Sequence, residues 1–86
     1  MVQQKSILIA DDEPDIREFI SYNLAKQGYS VYKANNGAEA LEIAINRKPS
    51  LIILDIMMPE MNGFEASRKM RENTLLDNTR IFFYRL

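Results

Sequence analysis

Ile7-Leu8-Ile9-Ala10-Asp11-Asp12-Glu13-Pro14 opens on four apolar residues in a row and closes on three acids and a proline. An unbroken apolar run of this kind suits a strand buried on both faces, and Pro14 fits the first turn of a helix beginning directly after it. The pattern returns at Leu51-Ile52-Ile53-Leu54, again closed by an acid, Asp55. Strands without polar alternation belong to parallel sheets, and parallel neighbours need long crossovers between them. The chain between and beyond the two runs supplies those crossovers.

From Asp15 onward Ile16, Phe19, Ile20 and Leu24 fall on one helical stripe, and Gly28 stands where a C-terminal cap would. Residues 29–34 read as a second strand, rich in β-branched and aromatic side chains, followed by the turn residues Asn35-Asn36-Gly37. A second helix is expected over residues 38–47, with Leu41, Ala44 and Ile45 inward, stopped by Pro49. Residues 57–63 read as a loop, residues 64–71 as a shorter helix with Phe64, Ser67 and Met70 on one side, and residues 81–84 as a last strand. Strands alternating with helices predict right-handed βαβ units and an α/β fold with a parallel sheet.

Composition narrows the chemistry. A chain of 86 residues with 47% hydrophobic content is one small domain, since chains of this size bury about 60% of their unfolded surface. Eleven Lys plus Arg against 12 Asp plus Glu give a net charge of -1, which lacks the basic footprint of a nucleic-acid or anionic-membrane binder. Without cysteine or histidine there is no disulfide framework, zinc knuckle or thiol chemistry, and the commonest general base is missing. The longest apolar run is far short of the roughly 20 residues that span a bilayer, and the polar start before Ser6 does not resemble a signal peptide, so a cytoplasmic location is expected.

In parallel α/β sheets ligands collect at the carboxyl ends of strands beside the topological switch point. With strand order 2-1-3-4 the first and third strands are neighbours, and Asp11, Asp12 and Asp55 converge. Either acid of the first pair taken alone reads as a helix cap or solvated turn, and Asp12 or Glu13 is a candidate cap for the first helix. Three convergent carboxylates repel one another, and a hard divalent cation such as Mg²⁺, which favours carboxylate, carbonyl and water oxygens, relieves that repulsion.

The stretch Ile7-Leu8-Ile9-Ala10-Asp11-Asp12-Glu13 followed by Leu51-Ile52-Ile53-Leu54-Asp55-Ile56-Met57-Met58-Pro59-Glu60-Met61-Asn62-Gly63 resembles the receiver domain of bacterial two-component response regulators, collinearly from Lys5 to Phe83. The acidic pair, the acceptor aspartate, Pro59 and Gly63 stand in family order and spacing. The resemblance implies a flavodoxin-like doubly wound sheet, phosphoryl transfer from a histidine kinase to Asp55, and a Mg²⁺ site. There Asp12 and Asp55 bind the ion directly, Asp11 acts mainly through water and Met57 through its backbone carbonyl. It also implies a signalling module rather than a turnover enzyme. Gly63 reads as permitting a tight or positive-φ turn and Pro59 as stiffening the loop, while Met57, Met58 and Met61 read as packing and loop residues.

The chain also departs from that family. A complete receiver runs to roughly 120 residues, on the low side of common domain sizes, so this chain reads as a single truncated receiver over residues 1–86. The fifth strand, the last two helices and the family's Lys after strand five are missing, Arg85 stands where the family has Thr or Ser, and Tyr84 and Leu86 look foreign. Thr79 comes too early to replace the lost hydroxyl, and Arg85 reads as a solvated chain end. Residues 81–84 then form a bare, uncharged edge of high β propensity, which predicts self-association. A truncated receiver acting only by association, with itself, a relative or a kinase, is the second expectation.

Two other classes fit poorly. A phosphohydrolase with an Asp nucleophile wants a second acid two residues on, where this chain has Met57. A dinucleotide site wants a glycine-rich turn, and Asp11-Asp12-Glu13 would repel a pyrophosphate.

Overall fold

Residues 5–85 are described by the computed structural model; the polar start at residues 1–4 and the terminal Leu86 lie outside the described residues. In chain order the elements are β1 (Ser6–Ala10), α1 (Pro14–Lys26), β2 (Ser30–Ala34), α2 (Gly37–Arg47), β3 (Leu51–Asp55), α3 (Gly63–Arg71), a 3-10 turn (Thr74–Leu76) and β4 (Arg80–Tyr84). The strands form one parallel sheet in the order β2-β1-β3-β4. All of the strands and helices expected from the sequence are present, with small shifts at their ends.

Local chemistry sets the boundaries. Pro14 opens α1, where its missing N–H costs nothing. Gly28, at φ 96°, ends it, with the Gly28 N–H donating to Ala25 O and the Tyr29 N–H to Leu24 O. Asn36 caps α2 by accepting from the Glu39 N–H, and Lys48 closes it in the left-handed region at φ 47°. Asn62 and Glu65 form a reciprocal capping box that starts α3.

Strand alternation sorts side chains onto two faces. Leu8, Ala10, Ala34, Ile52 and Leu54 point toward α2 and α3 and pack with Ala40, Ala44, Ala66 and Met70. Ile7 and Ile9 point the other way and are buried, while α1 packs over β1 and β2. On that second face Phe82 of β4 is 59% exposed.

Four sequence expectations are corrected. Phe19 is 70% exposed, and the buried position on α1 belongs to Ser21, whose hydroxyl donates to Arg17 O; a small, internally satisfied polar residue is invisible to an apolar stripe. Phe64 is likewise exposed, and Gly63, Ala66 and Met70 form the buried line of α3. Glu13 occupies the N-cap position of α1 without a side-chain cap bond, so neither it nor Asp12 does the capping; Asp11 Oδ1 accepts the Glu13 N–H at 2.8 Å instead. Gly63 does not need positive φ; its constraint is close approach, since a Cβ there would lie 2.5 Å from Asp55 O. Among the described residues the positive φ of this loop falls on Glu60, at 66°.

Candidate functional site

The chain leaves β1 toward β2 through α1 and leaves β3 toward β4 through α3, so the loops after β1 and β3 diverge and open a crevice between them. Asp11, Asp12 and Asp55 meet there: each offers a carboxylate oxygen, and these oxygens all lie within 4.8 Å of one another. Asp11 and Asp55 are buried, at 1% and 8% exposure, and Asp12 faces solvent.

Backbone groups hold these acids in place. Asp11 N–H stays in the ladder on Ala34 O, its carbonyl accepts from Arg17 Nη1 at 2.8 Å, and its Oδ1 accepts the Glu13 N–H. Asp55 Oδ1 accepts the Met57 N–H at 3.1 Å. The loop beyond is pinned by Gly63 N–H on Ile56 O, and Gly63, lacking a Cβ, lets α3 start against the Asp55 carbonyl. Met58 is buried and Met61 packs on the core, while Met57 is an exposed loop residue that lines the crevice.

Tyr84, foreign to the family pattern in sequence, belongs to this site. It pairs with Asp55 across β3 and β4, and its hydroxyl donates to Asp11 Oδ2. The signal was strand parity: Tyr84 lies two residues beyond Phe82, on the face shared with Asp11 and Asp55. Arg85 lines the same cavity of about 260 Å³, with Glu13 and Ile16. Thr79 sits elsewhere, buried at the start of β4 with its hydroxyl donating to Pro49 O at 2.9 Å.

Electrostatics bear on what the crevice can hold. Burial raises the Asp55 carboxyl above the usual aspartate value; the Met57 N–H opposes the rise, and the charges of Asp11 and Asp12 add to it. Burial and the bond to Asp11 also push the Tyr84 phenol up, so it remains a protonated donor at neutral pH. Among the described residues the ion pairs join Glu18 to Arg17 and Lys33, and no cationic side chain pairs with the three acids. Convergent hard oxygens with uncompensated negative charge fit a small divalent cation such as Mg²⁺. A larger cavity, about 600 Å³, opens at the opposite end of the sheet beside Lys5, Lys48 and Arg80, and it holds none of these acids.

Comparisons with known proteins agree with this geometry. The family model of the response regulator receiver domain matches residues 7–84. The alkaline phosphatase synthesis transcriptional regulatory protein PhoP of Bacillus subtilis is 43% identical over 72 residues, covering 84% of this chain and 30% of the relative. The response regulator MprA of a Mycobacterium species is 42% identical over 65 residues, covering 76% of this chain and 28% of its own length. Among solved structures, the chemotaxis protein CheY4 of Vibrio cholerae superposes with TM-score 0.90 at 34% identity, covering 94% of this chain and 68% of that one. The response regulator TrrA of Thermotoga maritima, solved in complex with Mg(2+)-BeF, gives TM-score 0.88 at 36% identity, covering 95% and 70%. The chain thus spans about a third of those curated relatives and about two thirds of those solved chains. By sequence, topology and fold, it belongs to the response regulator receiver domain family.

Proposed function

We propose that residues 1–86 act as a single receiver domain that accepts a phosphoryl group from a histidine kinase on Asp55, with Mg²⁺, to switch a downstream output. The convergence of Asp11, Asp12 and Asp55 within 4.8 Å at the switch point carries this reading. In the transfer an Asp55 carboxylate oxygen attacks phosphorus, the P–N bond to the kinase imidazole breaks, and the imidazole leaves with the electron pair. The Met57 N–H on Oδ1 orients the carboxylate for that attack. Asp11, Asp12, Asp55 and the Met57 backbone carbonyl are the groups that would hold Mg²⁺, which supplies neutralisation of the phosphoryl oxygens. The presence of Mg(2+)-BeF in the TrrA structure supports that assignment. A cytoplasmic setting fits this role, and no helix among the described residues is long and apolar enough to cross a membrane. We assign no direct nucleic-acid contact to this near-neutral segment.

The test is intact mass after incubation with acetyl phosphate and Mg²⁺, beside Asp55→Asn and a circular-dichroism check of folding. One phosphoryl group added to the unmodified chain and none to the variant is the expected result. A folded chain that gains no mass sinks the acceptor reading. It would leave the second one, a receiver acting by self-association or by binding a relative or a kinase, which the exposed Phe82 and Phe83 on the terminal strand favour.

A further inference from the structure

Tyr84 reaches the acid cluster by strand geometry alone. β4 runs parallel to β3 in a register that sets Tyr84 beside Asp55, and alternation turns the phenol onto the face where Asp11 also points. Both Asp11 oxygens are thereby engaged, Oδ1 by the Glu13 N–H and Oδ2 by the Tyr84 hydroxyl. The β4 backbone is anchored at this point, because Ile56 N–H donates to Tyr84 O at 3.0 Å, so the phenol is delivered from a fixed position.

We infer that the Tyr84 hydroxyl is a latch on the cation site, occupying Asp11 Oδ2 in the metal-free protein and weakening Mg²⁺ binding until it is displaced. The inference rests on the assignment of Asp11, Asp12 and Asp55 as the cation site. A hydrogen bond to a carboxylate is stronger than one between neutral partners, and a cation or a water on it that needs the same oxygen competes with the phenolic proton for it. The bond has a second effect: it places a partial positive charge beside three like charges, which relieves their repulsion when no cation does. Tyr84 is therefore a positioning residue that tunes how readily the site loads, and it takes no part in bond making at phosphorus.

Calorimetric titration with MgCl₂ tests this on the unmodified chain, Tyr84→Phe and Tyr84→Leu, each checked for folding by circular dichroism. Both variants are expected to bind Mg²⁺ more tightly, by about tenfold, since each loses a hydrogen bond to a charged group that opposes loading. A Mg²⁺-induced near-UV tyrosine difference signal is expected in the unmodified chain and absent from Tyr84→Phe, although Tyr22, Tyr29 and Tyr32 remain. Equal affinity in the unmodified chain and Tyr84→Phe overturns the latch while leaving the cation site standing, and so does weaker binding in that variant. Tighter binding in Tyr84→Leu alone would assign the effect to ring bulk and also overturn it. No binding by any of the three proteins overturns the latch and the cation site together.

Discussion

Ile52 and Ile53 are neighbours on β3, yet they serve different faces of the sheet. Ile52 is fully buried in the core formed with α2 and α3, whereas Ile53 is half-buried on the side where α1 covers β1 and β2 and leaves Phe82 of β4 open to solvent. One face is a finished core; the other is finished only over half the sheet. Asp11, Asp55 and Tyr84 belong by parity to the second face, so the site hangs from the less completely packed side of a sheet that the other side holds together.

The largest effect should follow from emptying the finished face. Ile52→Ala is expected to cost about 2–5 kcal/mol, the range for a large buried side chain cut to Ala, in a domain whose total stability is only on the order of 5–15 kcal/mol. Ile53→Ala should cost well under half as much. Urea melts of the two variants measure the gap, and equal losses would abolish the distinction between the faces.

Gly63→Ala comes next, and it joins the finished face to the site. The added methyl would lie 2.5 Å from Asp55 O, and the neighbour is backbone, so α3 or the end of β3 has to move. A loss of about 1–3 kcal/mol is expected from such overpacking, together with slower phosphoryl uptake because Asp55, the proposed acceptor, is displaced. Thermal melts and the acetyl phosphate mass assay read the two effects. Unchanged stability would show that the loop gives way without disturbing β3.

These two positions also show how far the sequence could be read. The apolar runs at Ile7–Ala10 and Leu51–Leu54, each closed by acids, carry enough information to place Asp11, Asp12 and Asp55 together, because unbroken apolar strands dictate a parallel sheet and its switch point. Gly63 was legible as a constrained glycine, but its reason was not: close approach to Asp55 O is a tertiary fact, and glycine in a loop reads by default as a turn. Phe19 departs from its expected burial for a related cause, since hydropathy assigns the buried slot of α1 to the aromatic residue and the helix rotation assigns it to Ser21. Tyr84 departs from the family pattern, yet strand alternation along β4 from Phe82 sets it at the acids.

A smaller effect is expected at Asp55 itself, and its sign is set by pH. Burial first, then Asp11 and Asp12, raise the folded carboxyl above the usual value of 3.8, so the folded state holds its proton more tightly than the unfolded chain does. The contribution of Asp55 to stability is therefore fully present below 3.8 and is lost as pH rises through the raised folded value. Without divalent cations, Asp55→Asn should be more stable than the unmodified chain at neutral pH by on the order of 1 kcal/mol, a typical single-site effect. The advantage should fade in acid, where both side chains are neutral. Added Mg²⁺ should narrow or reverse the neutral-pH difference by binding the folded unmodified chain more tightly. A variant less stable than the parent at neutral pH in EDTA would contradict the assigned strain.

The smallest effect on stability, and the sharpest test of the unfinished face, lies at Phe82, with its neighbour Phe83 as the contrast on the other face. Phe83 is 40% exposed and packs its ring 4.9 Å from that of Phe64, while Phe82, at 59% exposure, points to the other face. Phe83→Ala should cost about 0.5–1.5 kcal/mol for the aromatic pair alone, besides the apolar area it uncovers. Phe82→Lys should leave stability within about 0.5 kcal/mol, as surface changes usually do. If the open face recruits a second copy of the chain, the added charge must weaken that association, because Lys on an exposed strand disfavours pairing and removes apolar area from the contact. Sedimentation velocity on the unmodified chain and Phe82→Lys at matched concentration separates the cases. A fall in mean sedimentation coefficient confined to Phe82→Lys ties association to the bare face, whereas identical monomeric boundaries would mean that this face stays solvated and the site above it works within a lone domain.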